Sequence, residues 1–278
     1  MEDRIGTGKA LLILFLSIVV LVFAQGLAGL IYLIPFPGVI LPIFYAALCV
    51  VLAYWAVNQL CKKVLKLTLR ECRIDKPKIE VKWLVCAFVL PIAVIALLVS
   101  TPGEFVYNDI KAGEAIKNVI AAIFVAGFAA GVVEEMAFRG VIMKTLEMRW
   151  GKGVAIVVPS VIFGLLHAIG SNLHALDLLM LFVGGTSVGI MFSLIVYQSG
   201  SVWNSAIVHG VWNCMMIGNV LTIGPSNNEN SIFSYILSSE STLLTGGKFG
   251  VEVSIVAILG YLFVITLILY SMKKQTGV

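Results

Sequence analysis

The sequence predicts an all-α, polytopic membrane protein, and its composition is the first reason. Of its 278 residues, 60% are hydrophobic and only 12% are charged, whereas a soluble globular chain carries about 25% charged residues. The mean hydropathy is +1.02. Several apolar runs reach the roughly 20 helical residues that cross a bilayer core of about 30 Å. These runs are too continuous for the alternating strands of a membrane β-barrel, so helices are the expected spanning form.

About eight spanning segments can be drawn along the chain. They lie at 10–34, 38–60, 82–100, 116–146, 153–171, 175–197, 202–222 and 250–271. The first is long enough to span and has no convincing cleavage site, so it is interpreted as a retained signal anchor. Residues 223–249 are polar and rich in Gly, Ser and Asn, which predicts an exposed loop. We expect residues 1–278 to form a single integral-membrane domain, with the active-site chamber inside the helical bundle.

Basic residues predict the orientation of the chain in the membrane. With both termini in the cytoplasm, 15 Lys and Arg residues lie inside, among them Arg4 and eight between 62 and 82, and three lie outside. The cluster at 62–82 is most simply an anchor to anionic lipid headgroups. The lipid bilayer is therefore an expected partner, and a bacterial plasma membrane the expected location. No basic patch interleaved with aromatic residues indicates nucleic-acid binding, and the five cysteines lack the spacing of a disulfide framework or zinc knuckle.

Three ionisable residues interrupt the fourth apolar segment. Each of Glu134, Glu135 and Arg139 costs about 2.5–3.5 kcal/mol at the bilayer centre. Glu135 and Arg139 stand at i and i+4, so they can pair on one helix face. For Glu135 and Arg139, a buried ion pair that fixes helix register and a catalytic role are equally good explanations. Glu134 points about 100° away and lacks such a partner, which favours it as a general base.

The sequence has three histidines, and two of them fall within the predicted spans. His209 and Asn213 share one face of the seventh helix, and Phe163 lies one turn before His167 on the fifth. Glu134 lies 16 residues before Trp150 and His167 lies 16 after Gly151. In an antiparallel hairpin both are about 24 Å from the turn, which predicts that they face each other. His174, in a short loop beside Asp177, is interpreted as an interfacial residue.

These residues resemble the CAAX protease and bacteriocin-processing family of intramembrane proteases, also called CPBP or Abi, which includes the Ras-converting CAAX prenyl endopeptidase. The family pattern E-E-x-x-x-R, F-x-x-x-H and H-x-x-x-N/D reads here as EEMAFR (134–139), FGLLH (163–167) and HGVWN (209–213). The small-residue run GGTSVG (184–189) is similar to the family's Gly-rich helix. The resemblance covers about 115–220, which we take as the catalytic core.

The resemblance implies hydrolysis of peptide bonds within or beside the membrane. It implies that Glu134 and His167 activate the attacking water, and that His209 and Asn213 stabilise the oxyanion. Glu135 and Arg139 would shape and charge the site, with Phe163 in support. No metal is assigned. Glu134, His167 and His209 would form a zinc site if one is present, but the same residues also work as a metal-free pair.

Three functions are compatible with such a polar chamber. The first is an endopeptidase that processes leader, bacteriocin or pheromone precursors, or the tails of membrane proteins, so peptides and membrane proteins are the expected partners. The second is a non-proteolytic bacteriocin-immunity or scaffold protein that binds a peptide or partner. The third is a proton-coupled carrier, for which buried charges are also expected. The complete motif set favours the first, and the lack of an inverted repeat speaks against the third.

Overall fold

The computed structural model describes residues 5–276, so Arg4 of the basic residues counted above lies outside the described part. Its helices are α1 (Thr7–Leu33), α2 (Leu41–Leu65), α3 (Val81–Val99), α4 (Ala112–Trp150), α5 (Lys152–Leu166), α6 (Ala175–Ser199), α7 (Val202–Met216) and α8 (Ile255–Thr276). The expected all-α polytopic architecture is confirmed. Six of these helices, all except α5 and α7, are long and apolar enough to cross a membrane.

The predicted number of eight full spans is not confirmed, because α5 and α7 are shorter than expected. Each has 15 residues, or about 22 Å of rise, against a bilayer core of about 30 Å. Helix α5 was predicted to reach residue 171 but ends at Leu166, with His167 as its C-cap. Helix α7 was predicted to reach residue 222 but ends at Met216, shortly before Asn219 adopts a left-handed conformation at φ 55°.

Helix α4 is a continuous helix of 39 residues, about 58 Å long. Two stretches of it, Ala122–Ala129 and Met136–Ile142, have π-helical hydrogen bonding. π-Helical turns are rare and frequent at functional sites. The second stretch begins directly after Glu135 and contains Arg139, so the ionisable residues lie where the helix changes its winding.

The predicted exposed loop at 223–249 is instead part of a folded cap, which corrects the sequence interpretation. Strands β1 (Gly103–Tyr107), β2 (Leu221–Gly224) and β3 (Phe233–Leu237) form a sheet in the order β1-β3-β2. β3 runs antiparallel to β1 and parallel to β2. Polar side chains form hydrogen bonds within this cap; for example, the Asn108 amide donates to the carbonyl oxygens of Asn228 and Ser231. The polar composition of this segment is therefore compatible with a folded structure.

The chain after this sheet runs along the bundle before α8 begins. A helical turn at Thr242–Thr245 and a 3₁₀ turn at Val251–Val253 precede Ile255, so the eighth helix starts five residues later than the predicted residue 250. Gly250, at φ 122°, takes a conformation that side-chain-bearing residues rarely adopt. The segment 249–253 thus packs as a bent wall against α6 and α8.

Glycines bring α4 and α7 into close contact. A Cβ on Gly131 would lie 2.9 Å from the Ala206 carbonyl oxygen and from Gly210 Cα, and one on Gly210 would lie 2.8 Å from the Gly127 carbonyl oxygen. Gly127 and Gly131 are spaced as in the small-xxx-small pattern of close helix pairs in membranes. This close contact places the next turn of α4, which carries Glu134 and Glu135, beside His209 of α7.

Candidate active site

The Glu135 carboxylate is the centre of a buried polar cluster between α4 and α7. It is fully buried and accepts a hydrogen bond from Arg139 Nη1 at 2.9 Å. Ser205 Oγ donates to Oε2 at 2.6 Å, and His209 Nδ1 contacts Oε1 at 3.1 Å. The ion pair predicted from the i, i+4 spacing is therefore present. Charge-assisted bonds of this kind are about twice as strong as neutral ones, so Glu135 holds the His209 ring in one orientation.

Aromatic rings enclose the other side of Arg139. Its guanidinium carbon lies 4.7 Å from the ring centroid of Phe163, 5.2 Å from that of Phe192 and 5.6 Å from that of Phe138. Cation–π attraction is strongest where the cation is desolvated, and this guanidinium is fully buried. Arg139 Nη2 also donates to the Gly189 carbonyl oxygen of α6 at 3.2 Å. Arg139 therefore ties α4 to α5 and α6 as well as to Glu135.

Glu134 and Glu135 differ in exposure and in partners. The Glu134 side chain is 16% exposed and that of Glu135 is 0% exposed. Glu134 Oε2 lies 3.8 Å from His209 Nε2, a separation longer than a direct hydrogen bond. Within residues 5–276, Glu134 forms no other ion pair shorter than 4 Å, and the contact predicted with His167 is not among its interactions. One of the two adjacent carboxylates is thus partly exposed and the other is fully enclosed.

His167 caps α5 and has a defined tautomer. Its Nδ1 lies 2.7 Å from the Phe163 carbonyl oxygen. A carbonyl can only accept, so Nδ1 carries the proton and Nε2 is an acceptor in the neutral ring. The Phe163 ring lies 4.8 Å from the His167 ring and 5.7 Å from the His209 ring, measured between centroids. Phe163 thus packs between the two histidines of the motifs.

A cavity of about 90 Å³ lies where α5, α6, α7 and the segment 249–253 meet. His167, His209 and Asn213 line it, together with Phe163 and the small residues of the GGTSVG run, Gly184 and Gly185. It has room for several waters, since one needs roughly 10–15 Å³ by this measure. Glu134 is not among its lining residues, and its carboxylate lies beside His209, which is one of them.

The residues considered for zinc do not converge as a metal site. Within the described part of the chain, no group of three or more His, Cys, Asp and Glu residues is arranged to hold a metal ion. His209 Nδ1 is directed at Glu135 and His167 Nδ1 at its own backbone, which leaves Nε2 of each ring available. Glu134, His167 and His209 do not converge as placed here, and no step is derived through a metal.

Several residues of the site were missed by the sequence interpretation. Ser205 precedes His209 by four residues, so the helical period placed both on one face, and this signal was available. Phe192 stacks on the His209 ring at 4.8 Å and 20°, but nothing in the sequence distinguishes it from a packing residue. Glu252 also lines the cavity, although it lies about 40 residues beyond the last motif. His174 caps the start of α6, where its backbone N–H donates to Asp177, away from this site.

Glu252 ionises less readily than a free glutamate, because burial raises its pKa to about 7. The titratable groups of the same cavity are His167, His209 and Tyr261, and the Lys248 side chain is not part of its lining. Below pH 4.5 the carboxyl is protonated in both folded and unfolded chains. Between pH 4.5 and 7 only the unfolded chain ionises, so stability falls as pH rises, by up to about 3 kcal/mol.

Glu252→Gln is therefore expected to stabilise the protein at pH 8 and to leave its stability at pH 4.5 nearly unchanged. Glutamine resembles the protonated carboxyl and cannot ionise. Thermal unfolding of the purified protein in detergent, measured between pH 4.5 and 8.5, checks this. A difference between variant and wild type that does not vary with pH would contradict the burial argument.

Comparison with known families addresses the segment that carries this site. Residues 116–215 match the sequence model of the family described as type II CAAX prenyl endopeptidase Rce1-like. The chain therefore carries an Rce1-like segment. The resemblance inferred from the three motifs is confirmed over these 100 of 278 residues. No curated protein and no solved structure matches the chain.

The Rce1-like segment runs from the first turns of α4 nearly to the end of α7. It contains all seven residues singled out from the sequence for this site, which are Glu134, Glu135, Arg139, Phe163, His167, His209 and Asn213. Helices α1 to α3, the strand β3 and helix α8 lie outside it. Glu252 is a cavity residue that the Rce1-like segment does not include.

Proposed function

We propose that the protein is an intramembrane endopeptidase of the CAAX-protease type that hydrolyses peptide bonds in membrane-associated or precursor peptides. One observation carries the proposal. A partly exposed carboxylate, Glu134, lies 3.8 Å from a histidine that a second, fully buried carboxylate holds in place. A water-accessible base beside an oriented imidazole is the arrangement that general-base hydrolysis requires.

In the proposed reaction, Glu134 removes a proton from a water molecule, and the water oxygen attacks the scissile carbonyl carbon. His167, whose Nδ1–H donates to the Phe163 carbonyl oxygen, offers Nε2 as the acceptor that orients this water. The carbonyl oxygen becomes an oxyanion, for which His209 Nε2–H and the Asn213 amide are the proposed donors. Preorganised donors of this kind commonly give a factor of about 10²–10³ in rate.

The role of His209 depends on its protonation. Its Nδ1 is directed at Glu135, and a neutral ring with the proton on Nδ1 has no proton on Nε2. His209 therefore donates to an oxyanion only as the imidazolium. Two carboxylates, the Arg139 guanidinium and this imidazolium sum to zero charge, so the imidazolium form leaves the buried cluster electrically balanced. Glu135 then acts by orienting His209 and stabilising its charge.

Leader peptides, bacteriocin or pheromone precursors and membrane-protein tails are the proposed substrates. The proposed test compares peptides of the native host by mass spectrometry, in cells that express wild type, Glu134→Ala, His167→Ala or His209→Ala. Specific peptides should appear with wild type and be missing with each variant. If all three variants leave every peptide unchanged while a partner or immunity phenotype persists, the protein is a binding protein and not a protease.

We propose that the reaction needs no bound metal. The placement of the candidate ligands supports this, because Glu134, His167 and His209 do not converge as a metal site within residues 5–276. Purified protein dialysed against a tight chelator should keep its activity within about twofold. Loss of activity that only zinc restores would overturn this part of the proposal.

The close contact of α4 and α7 yields a further prediction. Gly131→Ala places a methyl group 2.9 Å from the backbone of α7, which forces the helices apart and moves Glu134 from His209. A displacement of about 1 Å at a catalytic group costs about 10²-fold in rate, so kcat should fall by that order. Gly113→Ala is the matched control on the same helix, since the added methyl group would meet no atom within 4 Å. Equal activity of the two variants would contradict the prediction.

A further inference from the structure

The catalytic cavity contains a carboxyl group that lies outside the Rce1-like segment. Glu252 lines the same 90 Å³ space as His167, His209 and Asn213. Its neighbour Phe249 also lines that space, and its ring centroid lies 6.4 Å from that of His167. The segment 249–253 is therefore a wall of the cavity and brings a second ionisable acid to the motif residues.

The backbone holds Glu252 in a fixed position. The Tyr261 hydroxyl of α8 donates to the Glu252 carbonyl oxygen at 2.8 Å, and Tyr261 itself packs against Trp212 of α7 at 5.0 Å between ring centroids. The flanking side chains of Val251 and Val253 are buried. These contacts fix the backbone around Glu252, and the residue lines the cavity.

No positive charge balances this carboxyl group. In the part of the chain that the structure describes, Glu252 forms no ion pair, whereas Glu135 has both Arg139 and His209. An enclosed acid without a counter-charge is stable in its protonated form. Glu252 is therefore an acid that can donate a proton.

Peptide hydrolysis needs such a donor on the side of the departing amine. The amide nitrogen leaves as a strongly basic anion unless it receives a proton while the C–N bond breaks. Glu134 holds the proton taken from water and does not line the cavity, whereas Glu252 does. We propose that Glu252 is a further catalytic residue, which donates a proton to the leaving nitrogen of the scissile peptide bond.

Protons and electrons balance in the proposed step. Glu134 takes one proton from water, and the hydroxide adds to the carbonyl carbon. The C–N bond then breaks, its electron pair goes to nitrogen, and the Glu252 carboxyl proton forms the new N–H bond. The products are a carboxylic acid and an amine, with Glu134 protonated and Glu252 ionised. Loss of one proton from Glu134 to solvent and uptake of one proton by Glu252 restore the enzyme.

The raised pKa of Glu252, about 7, agrees with this role. A general acid is most effective when its pKa is near the working pH. The inference rests on the proposed function, because without peptide hydrolysis there is no leaving amine to protonate.

The test compares two leaving groups in one sequence. The substrate is a peptide that wild type cleaves in the host comparison. It is prepared in two forms, one with the natural scissile amide and one as a depsipeptide, in which an activated alcohol of low pKa replaces the leaving amine. The alcohol leaves without protonation. Glu252→Gln should lower kcat on the amide by about 10²-fold, change KM less than threefold, and leave kcat on the ester within about threefold of wild type.

Two control variants distinguish proton donation by Glu252 from a structural or binding role. Glu240→Gln, which removes an exposed carboxyl of the same cap, should leave both rates unchanged, and Glu134→Gln should lower both, because both need activated water. Thermal unfolding of Glu252→Gln shows whether it folds. Equal loss on amide and ester, or a change in KM alone, would overturn the inference. If wild type cleaves no peptide, the proposed function itself fails.

Discussion

Arg139→Met is expected to destabilise the protein by about 3–5 kcal/mol, the largest effect on folding among the site residues. The substitution keeps most of the side-chain volume but removes the charge that faces Glu135, whose side chain is 0% exposed. An uncompensated buried carboxylate carries a desolvation penalty of this order. Unfolding of the purified variant in detergent, followed by heat or denaturant, measures the loss.

Two variants calibrate that result. Lys117→Met removes an exposed cation from the same helix and should change stability by less than about 0.5 kcal/mol. Adding Glu135→Gln to Arg139→Met removes the unpaired negative charge and should recover part of the lost stability. If the double variant is less stable than Arg139→Met, the ion pair is not the origin of the effect.

Glu134→Gln is expected to lower kcat by about 10³-fold with little change in stability. Glutamine keeps the shape of the side chain but cannot accept a proton, and general-base catalysis contributes about 10²–10⁴-fold. Because Glu134 is partly exposed and its nearest ionic contact, His209, lies 3.8 Å away, its replacement leaves few groups unsatisfied. Kinetics with a cleaved peptide in detergent or vesicles, alongside thermal unfolding, gives both quantities.

The adjacent residue provides the comparison. Glu135→Gln breaks the contacts to Arg139, Ser205 and His209, so it should lower stability as well as activity. Two neighbouring glutamates would then separate into one that acts on water and one that holds the cluster. Similar losses of stability in both variants would contradict the different roles that their burial indicates.

The local part of this site was predictable from the sequence because helical spacing is regular. The pairing of Glu135 with Arg139 follows from an i, i+4 interval, and the different position of Glu134 follows from the rotation of about 100° between adjacent helical residues. Both features are present in the structure. The membrane-spanning character was also predictable, because composition and apolar length depend on no tertiary contact.

Contacts between distant segments were not predictable in the same way. His209 bonds to Glu135 across 74 positions of the chain. The helical period of the sequence does not indicate which ring nitrogen of His209 faces Glu135. The strand β3 was not predicted, because a polar residue such as Ser234 is typical of an exposed loop. In the structure Ser234 is buried, and its hydroxyl forms hydrogen bonds within the cap. Glu252 lies far from the motifs, and only the folded path of 249–253 brings it to the cavity.

Activation of water by Glu134 for attack on a peptide bond can be followed directly with labelled water. Purified protein in lipid vesicles is supplied with a peptide that the host comparison identifies as a substrate, in ¹⁸O-labelled water. We expect one ¹⁸O atom in the new C-terminal carboxylate with wild type, and product formation reduced about 10³-fold with Glu134→Gln. Equal cleavage by the two proteins, or an intact peptide with wild type, would contradict this role.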